Sequence, residues 1–157
     1  MLIVLPVIVH FVFLRHTVNP FLMQLSKEEI LTRANAITKN TLMETLEIEI
    51  IEFGNDFVVG KMPVNKRVHQ PDGVLHGGAT VALAETVGST ASHLFIDTSK
   101  YKVKGLEISA NHLKSKQEGE VFATARPIHK GRTTHLWEIR VEDETGNLIS
   151  LCKLTTI

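Results

Sequence analysis

The chain has 157 residues, 43% hydrophobic and 22% charged, which is material for one globular core. Lys plus Arg and Asp plus Glu number 17 each, so the charge excess of a basic nucleic-acid-binding domain is absent. The single cysteine, Cys152, excludes an intrachain disulfide and a multi-cysteine zinc site; it points to a reducing, cytoplasmic setting and an inert core thiol.

The chain opens on "MLIVLPVIVHFVFL". This apolar run is shorter than the ~20 residues of a membrane span. No basic residue precedes it and no small-residue cleavage site follows, so it does not read as a secretory signal. Residues 1–25 are taken as an extension of uncertain role ahead of a domain over 26–157. A start at Met23 is favoured over membrane contact by residues 1–22.

Ser26 followed by Glu29 is a capping box, and Ile30, Ala34 and Ile37 follow at helical spacing, which predicts a helix over about 27–38. "LEIEIIEF", "GND" and "FVVGKMPV" predict a β-hairpin, 46–53 with 57–64. Residues 65–73 carry Pro71, Asp72 and Gly73 and read as loop. A second, longer helix is expected over 77–95. Beyond it lie "KGLEISANHLKSK", "EVFATARPIHK", "THLWEIRVED" and "LISLCKLTTI", separated by turn signals, a meander of three or four strands. In the third run Trp137, Ile139 and Val141 alternate with Glu138, Arg140 and Glu142, the pattern of an antiparallel sheet with one solvated face. One long helix against so many strands predicts an α+β fold: a five- or six-stranded antiparallel sheet curved around a central helix. Its outer face and edges are left for a partner chain.

On a helical wheel Leu83, Val87, Ala91 and Leu94 share one side of the long helix. Glu85, Ser89 and Ser92 fall opposite, with Val81 and Gly88 beside them. This second face has no Lys or Arg, so a chain or a ligand is expected to cover it. Glu85 then has two readings: a structural hydrogen-bonding carboxylate, or a general base or nucleophile in a desolvated site. The "HGG" ahead of it favours the second. Glycines admit close approach, and the unpaired N–H groups at a helix N-terminus suit an oxyanion. Gly77 and Glu85 are eight residues apart, about 12 Å along a helix axis. One carbonyl cannot meet both within a chain, so a two-subunit site is required.

"QPDGVLHGGATVALAETVGSTAS", "GLEISANHLKS" and "HKGRTTHLWEI" together resemble the hot-dog-fold acyl-CoA thioesterases. The nearest branch acts on hydroxybenzoyl-CoA and dihydroxynaphthoyl-CoA, the latter in menaquinone synthesis, and includes the enterobactin proofreading thioesterase. The resemblance covers about residues 40–157. It implies Glu85 as nucleophile or base, Gly77 N–H as carbonyl polariser, and Gln70, His76 and Ser89 about the thioester. It implies CoA contacts at His112, Leu113, Lys114 and Ser115, and at His129, Lys130, Gly131, Arg132, Thr133 and Thr134. The implied assembly is a homodimer with composite sites, often paired into a homotetramer. CoA is part of the substrate, and no cofactor is implied. Thr86 stands where some relatives carry serine, and the first 25 residues have no counterpart.

The residues themselves allow the CoA turn. Lys130 and Arg132 flank a glycine between two strands, a phosphate cradle with Lys114 and Lys116 on a neighbouring run. No HExxH pattern points to a metal, and no GxSxG points to a serine triad. A hot-dog dehydratase or a non-catalytic acyl-CoA-binding module are the alternatives. Glu85 speaks against the second.

Overall fold

The computed structural model describes residues 24–157. The readings placed on residues 1–22 and on Met23 lie outside them. Helix α1 (Lys27–Ala36) starts with the expected capping box: Glu29 N–H donates to Ser26 Oγ, and Ser26 N–H donates to the Glu29 carboxylate. A one-turn helix, α2 (Leu42–Thr45), follows where no element was predicted. Strands β1 (Glu49–Phe53) and β2 (Val58–Val64) form the hairpin. Helix α3 (Gly77–Leu94) is followed by β3 (Gly105–His112), β4 (Gly119–Lys130), β5 (His135–Asp143) and β6 (Leu148–Thr156).

All six strands pair antiparallel in the order β1-β2-β4-β5-β6-β3. β4, β5 and β6 make the expected meander. β3 departs from it and crosses to the far edge beside β6. Pro127 sits where the β4–β5 register slips, a place a strand proline can occupy. β5 bears out its alternation: Trp137, Ile139 and Val141 are fully buried, and Arg140 is exposed. Cys152 is buried beneath α3's side of the sheet, and burial raises its thiol pKa. Among the described residues no helix is long and apolar enough to cross a membrane.

The sheet curves around α3, which packs on strands β2 to β6. Contact this close needs small residues. A Cβ on Gly88 would lie 2.6 Å from Leu154, and one on Gly60 would lie 2.6 Å from Val87. Thr80, Leu83, Ala84, Val87, Gly88, Ala91 and Ser92 form the buried face. This corrects the helical wheel at two positions. Ser92 and Gly88 turn toward the sheet, not toward the covered outer face.

Ser92 is the polar anchor of that face. Its Oγ accepts from Trp137 Nε1 at 2.7 Å and lies 3.1 Å from His135 Nδ1 and 2.7 Å from Thr156 Oγ1. An indole N–H can only donate, so the serine hydrogen is left for His135 or Thr156. At the opposite edge, Asn35 ties α1 to β1. Its Oδ1 accepts from Ile50 N–H at 2.9 Å and its Nδ2 donates to Ile50 O at 2.8 Å. The β1 edge is thereby partly satisfied, while β3 presents an open edge.

Ser92→Ala would strand the Trp137 N–H in a dry site. The expected cost is about 1–3 kcal/mol. It is read as a lower urea midpoint at an unchanged m-value.

Candidate active site

α3 begins in a built cap. His76 Nδ1 accepts from Gly78 N–H at 2.8 Å, which orients the ring and turns Nε2 outward. Ala79 and Thr80 N–H both reach the His76 carbonyl, at 3.0 and 3.1 Å. Gly77 N–H has no acceptor among the described residues, so the donor suited to an oxyanion is free at the positive end of the helix. Gly77 lies close under the His112 ring: a Cβ there would sit 2.6 Å from His112 Nε2.

One cleft of about 270 Å³ unites residues from three separate stretches: Gln70, Gly77 and the run His112, Leu113, Lys114 and Ser115. Its apolar floor includes Leu75 and Ile149. Gln70 Nε2 donates to Asp72 at 3.1 Å. Lys114 Nζ donates to Asn147 Oδ1 at 3.1 Å, a neutral partner, and among the described residues no carboxylate pairs with it. Lys116 does not add to that charge as the sequence suggested. It pairs with Glu144 and holds that carboxyl down to about 2.

The other predicted groups lie elsewhere. Glu85 is half-buried, with Oε1 2.6 Å from where a Cβ on Gly105 would sit. Among the described residues no donor or cation pairs with its carboxylate. Ser89, one turn on, is also half-buried, and its carbonyl accepts from His93 Nδ1 at 2.8 Å. The hairpin tip His129–Thr134 stands at the far end of α3. There Thr133 and Thr134 share a second, mostly apolar cleft of about 240 Å³ with Ser92, Ile96 and Val103. Lys130 Nζ lies 4.0 Å from the centroid of the Phe95 ring, and burial lowers its pKa.

The single chain therefore holds two half-sets. Gln70, Gly77 and 112–115 surround the start of α3; Glu85, Ser89 and the hairpin tip lie along its middle and end. The sequence reading missed Thr80, buried in the first cleft, and Gly105, against Glu85. Thr80 could have been found three residues after Gly77, on the same face of the first turn. Gly105 carries no local signal.

Comparison with known proteins gives one consistent likeness. Residues 72–150 match the family model described as "Thioesterase superfamily". The chain is 47% identical over 125 residues to PA1618 of Pseudomonas aeruginosa, named an esterase, covering 80% of this chain and 86% of that one. It is 42% identical over 122 residues to the 1,4-dihydroxy-2-naphthoyl-CoA hydrolase of Escherichia coli, covering 78% of this chain and 89% of that one. The crystal structure of a mutant thioesterase PA1618 superposes with a TM-score of 0.79 at 46% identity, covering 80% of this chain and 91% of that one.

The cap at the start of α3 can be tested apart from any chemistry. His76→Ala should cost about 1 kcal/mol, and His76→Asn, a good N-cap, should restore it. Thermal unfolding of the two variants beside the parent is the check.

Proposed function

The chain belongs to the thioesterase superfamily and hydrolyses thioesters, and on that footing we propose that its substrate is an acyl-CoA with an aryl or other small acyl group, cleaved to the free acid and CoA. The observation that carries the reading is the pair of groups on α3 uncommitted among the described residues: the Glu85 carboxylate without a partner and the Gly77 N–H without an acceptor. A thioester would engage both, its carbonyl oxygen the N–H and its carbon or attacking water the carboxylate.

In this reading the thioester carbonyl oxygen accepts from Gly77 N–H, and negative charge grows on it as the carbon becomes tetrahedral. Glu85 either attacks that carbon or takes a proton from the water that does. Collapse expels the CoA thiolate, which takes up a proton. If Glu85 attacked, the mixed anhydride is then opened by water. Gln70 and Ser89 are suited to orient the ester and the water.

Two subunits supply one site. Gly77 and Glu85 stand about 12 Å apart along one axis, and the two half-sets occupy different ends of α3. A two-fold axis that brings Gly77 of one subunit to Glu85 of the other does the reverse as well. The midpoint of the pair, residue 81, then lies beside the axis. Val81, on the same helix face at i+4 spacing, is half-buried. The open β3 edge, with Leu106 64% exposed, accords with a partner on this side.

The likeness to the Escherichia coli enzyme supports a dihydroxynaphthoyl acyl group; a hydroxybenzoyl group is the other candidate, and the first would give the protein a cytoplasmic place in menaquinone synthesis. A dehydratase would need a histidine paired with the acid. His76 is a poor candidate, since its Nδ1 already accepts from Gly78.

Glu85→Ala is expected to lower kcat on 4-hydroxybenzoyl-CoA by about 10²- to 10⁴-fold with the oligomer intact by sedimentation. Turnover at the parent rate would sink the assignment. Val81→Cys should join two chains by a disulfide under mild oxidation, seen as a dimer on non-reducing gels. Cysteines placed at exposed Ile37 serve as the control that should not.

A further inference from the structure

Both arms of the β4–β5 hairpin grip the last turn of α3. Lys130 and His135 are register partners across the hairpin. On one arm, Lys130 Nζ sits 4.0 Å from the ring centroid of Phe95, the residue that ends α3. On the other arm, His135 Nδ1 lies 3.1 Å from Ser92 Oγ. Ser92 and Phe95 are three residues apart and so share one edge of the helix. Trp137 joins the two grips: its ring stacks on Phe95 with centroids 5.9 Å apart, and its Nε1 donates to Ser92 at 2.7 Å. Between the arms the tip is a tight turn, with Gly131 N–H donating to Thr134 O at 2.9 Å. Arg132 and Thr133 stand exposed on it.

The two cations of the tip are thus committed differently. A lysine over an aromatic face is drawn to the ring's negative quadrupole and gives up part of its hydration there. Lys130 is half-buried and turned back onto the helix, while Arg132 is exposed at the tip. A planar guanidinium is also the better fork for phosphate oxygens. This separates two residues that the sequence placed together in one cradle.

We propose that Lys130 is a positioning residue: through Phe95 it fixes residues 131–134 against the helix that carries Glu85, so that Arg132, and not Lys130, meets the phosphates of the acyl-CoA. The inference rests on the acyl-CoA reading of the hairpin given above. It assigns Phe95 and Lys130 to one device, with Ser92 and His135 as its second anchor.

The test uses the full chain and four variants: Phe95→Leu, Lys130→Met, Lys130→Arg and Arg132→Ala. KM is measured for 4-hydroxybenzoyl-CoA and for the N-acetylcysteamine thioester of the same acid, at low and high salt. Hydrogen exchange is followed in peptides covering residues 129–135. Phe95→Leu and Lys130→Met should each raise KM for the CoA ester about five-fold, the worth of a partly desolvated cation–π contact. Both should quicken exchange at the tip. Lys130→Arg should stay close to the parent, because a guanidinium also stacks on the ring. Arg132→Ala should weaken the salt dependence of KM most, and Lys130→Met should weaken it less. No variant should raise KM for the short thioester comparably.

Parent-like KM and exchange in Phe95→Leu would overturn the proposal. So would a loss of salt dependence in Lys130→Met equal to that in Arg132→Ala, which would put Lys130 on the phosphate. Should Phe95→Leu fail to fold, the contrast between Lys130→Met and Lys130→Arg decides alone. If exchange quickens as expected but no variant, Arg132→Ala included, changes KM for the CoA ester, the grip is real and the acyl-CoA reading of the hairpin is what fails. That result overturns the proposal through its premise, and Glu85→Ala separately tests the hydrolytic reading.

Discussion

The close approach of α3 to the sheet is the constraint on which the rest of the structure depends. Gly60 and Gly88 have no room for a Cβ, and Ala84 and Ala91 are fully buried between helix and strands. Packing at this density leaves no space for water, so a polar group on the buried face must be satisfied by protein. Ser92 meets that demand with three partners from β5 and β6. With one helix face used in this way, the remaining face is free to carry groups that the fold itself does not need. Glu85 and Ser89 are on that face, and both stay half-buried.

In the proposed reaction the same geometry divides the chemistry between two chains. A helix advances about 1.5 Å per residue, so a donor at its start and an acid two turns later cannot converge on one carbonyl. The topology adds to the separation. β3 crosses to the sheet edge and brings His112 to the start of α3 and Gly105 to its middle. The hairpin between β4 and β5 reaches the other end. In that proposed reaction a second subunit is the economical way to bring these ends together.

Much of the fold was legible because its signals are local. The Ser26–Glu29 capping box, the alternation of Trp137, Ile139 and Val141, and the glycines before the long helix each act through neighbours in sequence. The helix was legible in position and length, from Gly77 to Leu94. Its faces were read less well. Ser92 lies seven residues from Glu85 and shares its angle on an ideal wheel, yet one is buried and the other is half open. That one angular face meets a glycine of the edge strand β3 at residue 85 and residues of β5 and β6 at residue 92. A wheel holds no record of which strand passes at which height. The surroundings of Lys130 and Lys116 were not legible for a related reason. Their partners, Phe95 and Glu144, lie 35 and 28 residues away and are adjacent only after the strands have paired.

By itself, the sequence determined the residue types available for chemistry: a lone carboxylate on a helix of small residues and a glycine pair at that helix's start. It also determined their spacing along one axis, because helical rise is set by the backbone and does not depend on the fold. Only the tertiary structure decided which of these groups stand together. It joined Gln70, Gly77 and residues 112–115 in one cleft, set Glu85 against Gly105, and turned Lys130 onto Phe95. Those neighbours come from strand order and from which strand passes each turn of α3, and both are properties of long-range packing that no short stretch of the chain encodes.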